Sequence, residues 1–271
     1  MMTQKPIEPL SFFILAGMFC ISAVNAQNLV TFMPPDPAKT APPAETDTVI
    51  TVLDPKTDYK RFTLLENKIV VRDGFFMGDK KTGRWSEYSD TGVLLQSADY
   101  NNGQKSGEYM EFDNNGALVV WEHYKNGQLH GERKYYVQGK TGRVLKSAHN
   151  YREGQLDGLC SEFTADGKLQ AQNMYTQGKK NGISTWYFST GKTAMIQYYQ
   201  NDVLEGNQQI YNQQGVLITD GNFMHNMKNG MWTEYYESGN IRSKGNYVND
   251  QKSGTWTYYN ESGQVVKTEN L

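Results

Sequence analysis

Residues 230–254 read GMWTEYYESGNIRSKGNYVNDQKSG, and the same pattern of glycines and aromatic residues recurs along most of the chain. The glycine that opens this stretch has counterparts at regular intervals: Gly83, Gly107, Gly131, Gly158, Gly182, Gly206, Gly230 and Gly254. Neighbouring members are 24 residues apart, except for one step of 27. Self-similarity at a fixed period indicates a repeat architecture. We call these residues the anchor glycines and number the eight units that they begin from one to eight.

Each unit carries an aromatic residue five positions after its anchor glycine. These residues are Tyr88, Phe112, Tyr136, Phe163, Tyr187, Tyr211, Tyr235 and Tyr259. Seven units then have a glycine that ends a polar link such as DNNG or YESG, which suits a type I turn followed by a left-handed residue. The segments between such links are rich in Tyr, Trp, Thr and Val, as strands are. Each unit is therefore predicted to be a β-hairpin.

A unit of 24 residues is too short to bury a hydrophobic face by itself, so the units must stack on their neighbours. We therefore predict an all-β fold, an elongated single-layer antiparallel meander of eight tandem hairpins over residues 83–271. Residues 58–82 are predicted to be a degenerate half-repeat that caps the N-terminal edge. In the third unit, three extra residues predict a longer turn and a bulge.

The links NGQLHG (residues 126–131) and QGKKNG (residues 177–182), each of which ends at an anchor glycine, resemble the MORN repeat. The 24-residue form G-x-W-x-x-Y-x-x-x-G-x-L is similar to the bacterial variant of this repeat, many of whose members carry the label of antitoxins of the YwqK type. The resemblance covers residues 62–271. It implies a hairpin-repeat fold and a binding or scaffolding role, with an antitoxin as one possible form of that role.

The N-terminal quarter has a different composition. Residues 10–24 are an apolar run, and Val24-Asn25-Ala26 suits a signal peptidase, so residues 1–26 are predicted to be a cleaved signal peptide. All eight prolines lie at or before Pro55, and residues 27–57 are predicted to be a flexible, proline-rich linker. The protein is thus expected to be exported to the periplasm, the cell surface or the medium. No later apolar run is long enough to predict a membrane span.

The chain offers little sign of catalytic chemistry. Its net charge is −2, which predicts no nucleic-acid partner. The four histidines occupy different places in their units, so no metal site and no cofactor are predicted. Cys160 is the only cysteine after residue 26, and we expect a buried apolar side chain rather than a reactive thiol. The protein is predicted not to be an enzyme.

The aromatic columns are the remaining candidate for function. Residues two and five positions after the anchor differ in parity, so either a bulge brings them to one face or both faces carry rings. One alternative is that the rings only pack on one another; the other is that exposed rings bind a ligand. The candidate surface comprises Trp85, Tyr88, Tyr109, Trp232, Tyr235, Trp256 and Tyr259.

Two functional hypotheses follow. The first is an exported, non-enzymatic module that binds a protein partner or a cell-envelope glycan. The second, which rests on the family resemblance, is an antitoxin or immunity protein that sequesters a toxin. The sequence predicts no oligomeric state.

Overall fold

The computed structural model describes residues 45–140 and 142–271, and all regular structure within these ranges is β-strand. The predicted signal peptide and the predicted linker up to residue 44 lie outside the described residues. In the described part of the chain no helix is long and apolar enough to cross a membrane. The strands are β1 (Thr46–Asp54), β2 (Tyr59–Glu66), β3 (Ile69–Met77), β4 (Lys80–Tyr88), β5 (Leu94–Asn101), β6 (Gln104–Phe112), β7 (Leu118–Lys125), β8 (Gln128–Leu129), β9 (Gly131–Gly139), β10 (Gly142–Arg152), β11 (Gln155–Leu156), β12 (Gly158–Phe163), β13 (Leu169–Thr176), β14 (Lys179–Tyr187), β15 (Thr193–Gln200), β16 (Val203–Leu204), β17 (Gly206–Tyr211), β18 (Leu217–Met224), β19 (Met227–Tyr235), β20 (Ile241–Val248), β21 (Gln251–Tyr259) and β22 (Val265–Asn270).

These strands form one open antiparallel sheet in which each pass of the chain pairs with the next pass. The two-residue segments β8, β11 and β16 each continue, after one residue, as the strand that follows them. The 22 segments therefore make nineteen passes across the sheet. The predicted single-layer meander is confirmed.

Two kinds of turn alternate along the sheet. In the seventh unit the Gly239 amide donates to the Tyr236 carbonyl at 2.9 Å, and Gly239 has φ +87°, as predicted for a type I turn with a left-handed glycine. At the other end of the hairpin, Asn249 and Asp250 both have positive φ, the signature of a type I′ turn. The Asp250 amide also donates to the Lys228 carbonyl at 3.0 Å, which ties this turn to the preceding hairpin.

The insertion in the third unit lengthens the strands rather than the turn. β9 and β10 remain paired out to Gly139 and Gly142, so β10 is the longest strand of the sheet. The register shift between Leu145 and Ser147 corresponds to the one that other units have at the same place. The prediction of a longer turn is therefore wrong, because the extra residues join the hydrogen-bonded ladder. The predicted bulge is present, but it is one that other units share.

The ordered sheet begins earlier than the sequence predicts. Residues 46–54, assigned to the linker, form β1, which pairs with β2 along its whole length. Within the described residues the edge strand is therefore β1 and not the predicted capping half-repeat of residues 58–82, whose β2 and β3 lie further in. The prediction failed because Pro55 was grouped with the earlier prolines, although it stands in the turn after β1, outside the strand.

Candidate binding surface

Within each unit, the residues two and five positions after the anchor glycine face opposite sides of the sheet. From Trp85 to Tyr88, β4 alternates regularly, because the register shift beyond Glu87 skips a residue of β5 and not of β4. Trp85 stacks on Phe62 at 5.6 Å between ring centroids. Tyr88 instead lies beside Arg61, the chain neighbour of Phe62. Both faces therefore carry rings. We call the side of Trp85 the ladder face and the side of Tyr88 the row face.

On the ladder face, each tryptophan of the first column lies over a glycine of the preceding strand. Trp85, Trp232 and Trp256 are 4%, 4% and 2% exposed. They cover Gly74, Gly221 and Gly245, where a Cβ atom would overlap with the indole. Each indole Nε1 also donates a hydrogen bond of 2.9–3.0 Å to a backbone carbonyl one residue beyond that glycine. These three rings thus hold neighbouring strands together.

Lysine side chains cover the rings from the solvent side. The Nζ of Lys228 lies 4.3 Å from the Trp232 ring centre, and that of Lys252 lies 4.1 Å from the Trp256 ring centre. Tyr247 stands between the two tryptophans, in edge-to-face contact with both. A cation over a ring and a buried lysine stem both stabilise such a stack. The lysine stems and the neighbouring rings thus bury the tryptophans although the sheet has only one layer.

Polar residues replace the tryptophans in the middle of the ladder face. Glu122 is 6% exposed and accepts hydrogen bonds from Arg133 Nε at 2.6 Å and from the Tyr124 hydroxyl at 2.7 Å. Burial, followed by the bond to Glu122, raises the pKa of Tyr124. Burial opposes the charge of Arg133, but its hydrogen bond and Coulombic attraction to Glu122 outweigh this and raise its pKa. The group is an internally satisfied ion pair that joins neighbouring hairpins.

Cys160 occupies the first-column position of the fourth unit and is 3% exposed. Burial raises its pKa to about 11, so the thiol is protonated at neutral pH, which confirms the prediction of a buried side chain. Nearby, His149 Nε2 lies 2.6 Å from Glu162 Oε1. Within residues 45–140 and 142–271 there is no group of three or more His, Cys, Asp or Glu residues arranged to hold a metal ion.

The row face carries the second aromatic column, one ring per unit. All eight residues are half-buried, so each ring is partly open to solvent along the length of the sheet; we call them the aromatic row: Tyr88, Phe112, Tyr136, Phe163, Tyr187, Tyr211, Tyr235 and Tyr259. Members of the row stand two strand passes apart, which corresponds to a spacing of roughly 9–10 Å. The row is a line of apolar contact sites with a regular repeat.

Two depressions lie on this row. One, of about 330 Å³, is lined by Tyr88, Arg61, Asp73 and the turn residue Gly92. The other, of about 420 Å³, lies between Tyr211 and the turn residues Gly191 and Gly215 and includes Lys192 and Ile196. Each depression thus combines a ring of the row with at least one turn residue of a hairpin.

Charged side chains beside the row are paired with one another. Arg61 Nε lies 3.0 Å from Asp73, and Arg84 Nε lies 2.8 Å from Asp99. The hydrogen bond from Arg84 is the main cause of a lowered pKa at Asp99. Paired charges leave the first depression with little net field, which suits an uncharged ligand.

The structure divides the seven candidate residues between the two faces. Trp85, Tyr109, Trp232 and Trp256 are buried in the ladder, so the expectation that they belong to an exposed surface is corrected. Tyr88, Tyr235 and Tyr259 lie on the row face and stay a prediction; Tyr235 and Tyr259 belong to neighbouring units, whereas Tyr88 lies six units away from Tyr235. The candidate surface predicted from the sequence did not include five further members of the row: Phe112, Tyr136, Phe163, Tyr187 and Tyr211. Their position five after the anchor glycine was the signal that could have found them.

The sequence model of the MORN repeat variant family matches residues 81–102, 180–201, 228–249 and 252–271 of this chain. These segments coincide with units one, five, seven and eight, and each spans the two strands and the polar turn of one hairpin. The other four units fold in the same way without a match. Among curated proteins, none is significantly similar to this chain. This chain therefore carries the MORN repeat variant in four of its eight hairpin units.

Proposed function

We propose that this protein is an exported, non-enzymatic module that binds a protein partner or a cell-envelope glycan along its aromatic row. The observation that supports this proposal most is that the aromatic rings of the two faces differ in burial. The ladder face uses its rings to hold strands together, whereas the row face leaves a part of every ring in contact with solvent. Partly exposed aromatic rings bind sugar faces and protein side chains with large contact area at low entropic cost.

The regular spacing favours an extended ligand over a compact one. One ring every 9–10 Å, repeated over eight hairpins, presents equivalent contacts to a ligand that is itself a polymer. Several weak, equivalent contacts on one chain add up to high affinity through effective concentration. The paired charges at Arg61 and Arg84 leave stacking and hydrogen bonding as the main source of affinity.

A non-enzymatic role agrees with the repeat. The MORN repeat variant is generally a binding or structural repeat rather than a catalytic domain. Glu122, a buried carboxylate, is satisfied within the ladder face by hydrogen bonds from Arg133 and Tyr124. The row face acts in this proposal through its shape and its rings.

The experiment compares a row residue with an exposed ring on the other face. Tyr211→Ala and Tyr88→Ala remove rings that line the two depressions, and Tyr135→Ala is the control, because Tyr135 is 37% exposed on the ladder face. Each variant is titrated with envelope glycan fragments by calorimetry and used as bait in an envelope protein extract. We expect the row variants to weaken binding by roughly 2 kcal/mol, about 30-fold, with only a small decrease in melting temperature. Equal binding by all three variants would contradict the proposal.

Export and the antitoxin role are tested separately. Mass spectrometry of the protein from an expressing cell should show a chain that begins at Gln27 and that is recovered outside the cytoplasm. An antitoxin would instead rescue growth when a toxin encoded next to it is expressed in the same compartment. Rescue that survives Tyr88→Ala and Tyr211→Ala would move the function away from the aromatic row.

A further inference from the structure

The N-terminal edge of the sheet exposes an apolar strand. Among the described residues β1 pairs only with β2, and Val49, Ile50, Val52 and Leu53 are 45–58% exposed. No charged residue stands between Thr48 and Leu53. Natural sheets usually protect an edge with lysine, proline or a bulge, because an open apolar strand is a template for pairing with another chain. The central part of β1 contains neither lysine nor proline. Its register shift lies only at the end of the strand, beyond Val52.

The backbone of β1 is also prepared for a further strand. The Asn67 amide donates to the Glu45 carbonyl at 2.8 Å, which sets the odd-numbered residues of β1 with their backbone groups towards β2. The N–H and C=O groups of Thr48 and Ile50 therefore point away from the sheet. These donors and acceptors are available to a strand that pairs antiparallel with β1.

The opposite edge is built differently. β22 carries Lys267 and Glu269, which form an ion pair along the strand. Because the sheet has nineteen passes, β1 and β22 run in the same direction. Stacking a second copy end to end with its faces in the same orientation would place β22 parallel to β1, and parallel pairing is less stable per residue. A two-fold axis perpendicular to the sheet instead places β1 antiparallel to β1 and keeps both faces continuous.

The sequence of β1 suits this two-fold arrangement. With the axis at Ile50, Thr48 lies opposite Val52 of the second copy, and Val49 lies opposite Thr51. Asp47 lies opposite Leu53, and Asp54 lies opposite Thr46, so no two carboxylates meet across the interface. The neighbouring register, with the axis between Ile50 and Thr51, would place Asp47 opposite Asp54, where like charges are destabilising. Charge and backbone direction both favour the axis at Ile50 over this neighbouring register.

We propose that two copies of this chain associate through β1, paired antiparallel about a two-fold axis at Ile50. The interface is isologous and closed, so it yields a dimer and not a filament. The ladder face and the row face each continue from one copy into the other. The dimer presents two aromatic rows related by the two-fold axis.

Cysteine pairing tests the register directly, in the full chain with Cys20→Ser; Cys160 is buried and stays. Ile50→Cys places two thiols on a directly opposed pair with about 5.5 Å between Cα atoms, within the range that a disulfide spans. Thr48→Cys is the matched control on the same edge, because its two copies would be four residues apart, roughly 13 Å. Combining Thr48→Cys with Val52→Cys restores an opposed pair. We expect disulfide dimers from Ile50→Cys and from the double variant, and none from Thr48→Cys.

Light scattering over a range of protein concentrations measures the dimerisation without a cross-link. The wild type should approach twice the monomer mass. Ile50→Lys should give a monomer with an unchanged circular dichroism spectrum, whereas Val266→Lys on the other edge should leave the dimer intact. A wild type that remains monomeric, a dimer that only Val266→Lys dissociates, or equal cross-linking of Ile50→Cys and Thr48→Cys would overturn the proposal. A monomer in which the thiol of Ile50→Cys resists labelling would instead place the residues upstream of β1 on this edge.

Discussion

The indole of Trp232 lies directly on Gly221, so closely that a side chain at Gly221 would occupy the space of the ring. The two residues belong to neighbouring strands and are paired in the sheet. The same relationship recurs between Gly74 and Trp85 and between Gly245 and Trp256. Where the ring is Tyr109, the residue of the preceding strand beneath it is Ala98. The size of the residue in one strand is thus matched to the ring that the next strand places on it.

This contact predicts a strong coupling between Gly221 and Trp232. Gly221→Ala should lower the free energy of unfolding by roughly 1–3 kcal/mol, because the methyl group displaces a well-packed ring. In a Trp232→Ala background the same substitution should cost almost nothing. A double-mutant cycle in denaturant measures the coupling energy. Additive effects would show that the ring and the glycine do not interact.

Substitution of the turn glycine of the seventh unit should be limited by its positive φ and not by contacts of a new side chain. Gly239 has φ +87°, and a Cβ atom there would meet only Val216 at 3.6 Å, an ordinary contact. Gly239→Val should therefore cost about 1–2 kcal/mol through strain alone, and Gly239→Asn should cost less, because asparagine tolerates the left-handed region. Urea denaturation of the two variants compares them. Equal losses would contradict the turn assignment.

The ladder face predicts a loss of stability at alkaline pH. Burial raises the pKa of Tyr109 and Tyr175 to about 12, from 10.0, and that of Cys160 to about 11, from 9.0. The unfolded chain releases these protons first as the pH rises. The contribution of these three groups to the free energy of unfolding should therefore be constant below about pH 9 and fall between pH 9 and 12, by up to roughly 2–3 kcal/mol for each group.

The control for this pH dependence removes one hydroxyl group. Tyr109→Phe should show a shallower decline above pH 10 than the wild type. Tyr135→Phe, at an exposed position of the same face, should leave the decline unchanged. Chemical denaturation at fixed pH values gives the slope. A decline that is identical in all three proteins would assign the pH dependence to other groups.

The hairpins should behave as interchangeable units. Deleting residues 206–229 joins Glu205, the last residue of the fifth unit, to Gly230, the first residue of the seventh unit, so the junction keeps the order of positions of an ordinary unit boundary. The shortened chain should therefore fold, with a lower stability, because each hairpin contacts only its neighbours. Deleting residues 206–217 removes half a unit and should break the register. Circular dichroism melts distinguish the two outcomes, and equal damage from both deletions would indicate a global core.

The sequence predicted the period, the turns and the meander, because glycine spacing and strand patterns are local features. It did not predict which rings are buried. In a single layer, burial at Trp232 depends on Gly221 in the preceding strand and on Lys228 above the ring. Such contacts reach across strands. A pattern nevertheless exists, since the units whose first-column residue is Trp or Tyr all have lysine two positions before the anchor glycine.

The edge strand was missed for a different reason. Residues 48–53 read TVITVL, a β-branched run typical of a strand. Composition averaged over residues 27–57 concealed it, because prolines stand on both sides of the run and none stands within it. Proline excludes a strand only at the position that it occupies.

Two aromatic rings that stand three residues apart on one strand have different roles, one in stability and one at the surface. The most direct test is the free energy of unfolding of Trp232→Ala beside that of Tyr235→Ala, measured in the same denaturant series. Trp232 is 4% exposed on the ladder face, whereas Tyr235 is half-buried on the row face. We predict a loss of about 3–5 kcal/mol for Trp232→Ala and a clearly smaller loss for Tyr235→Ala. Equal losses, or a larger loss for Tyr235→Ala, would contradict the assignment of the two faces.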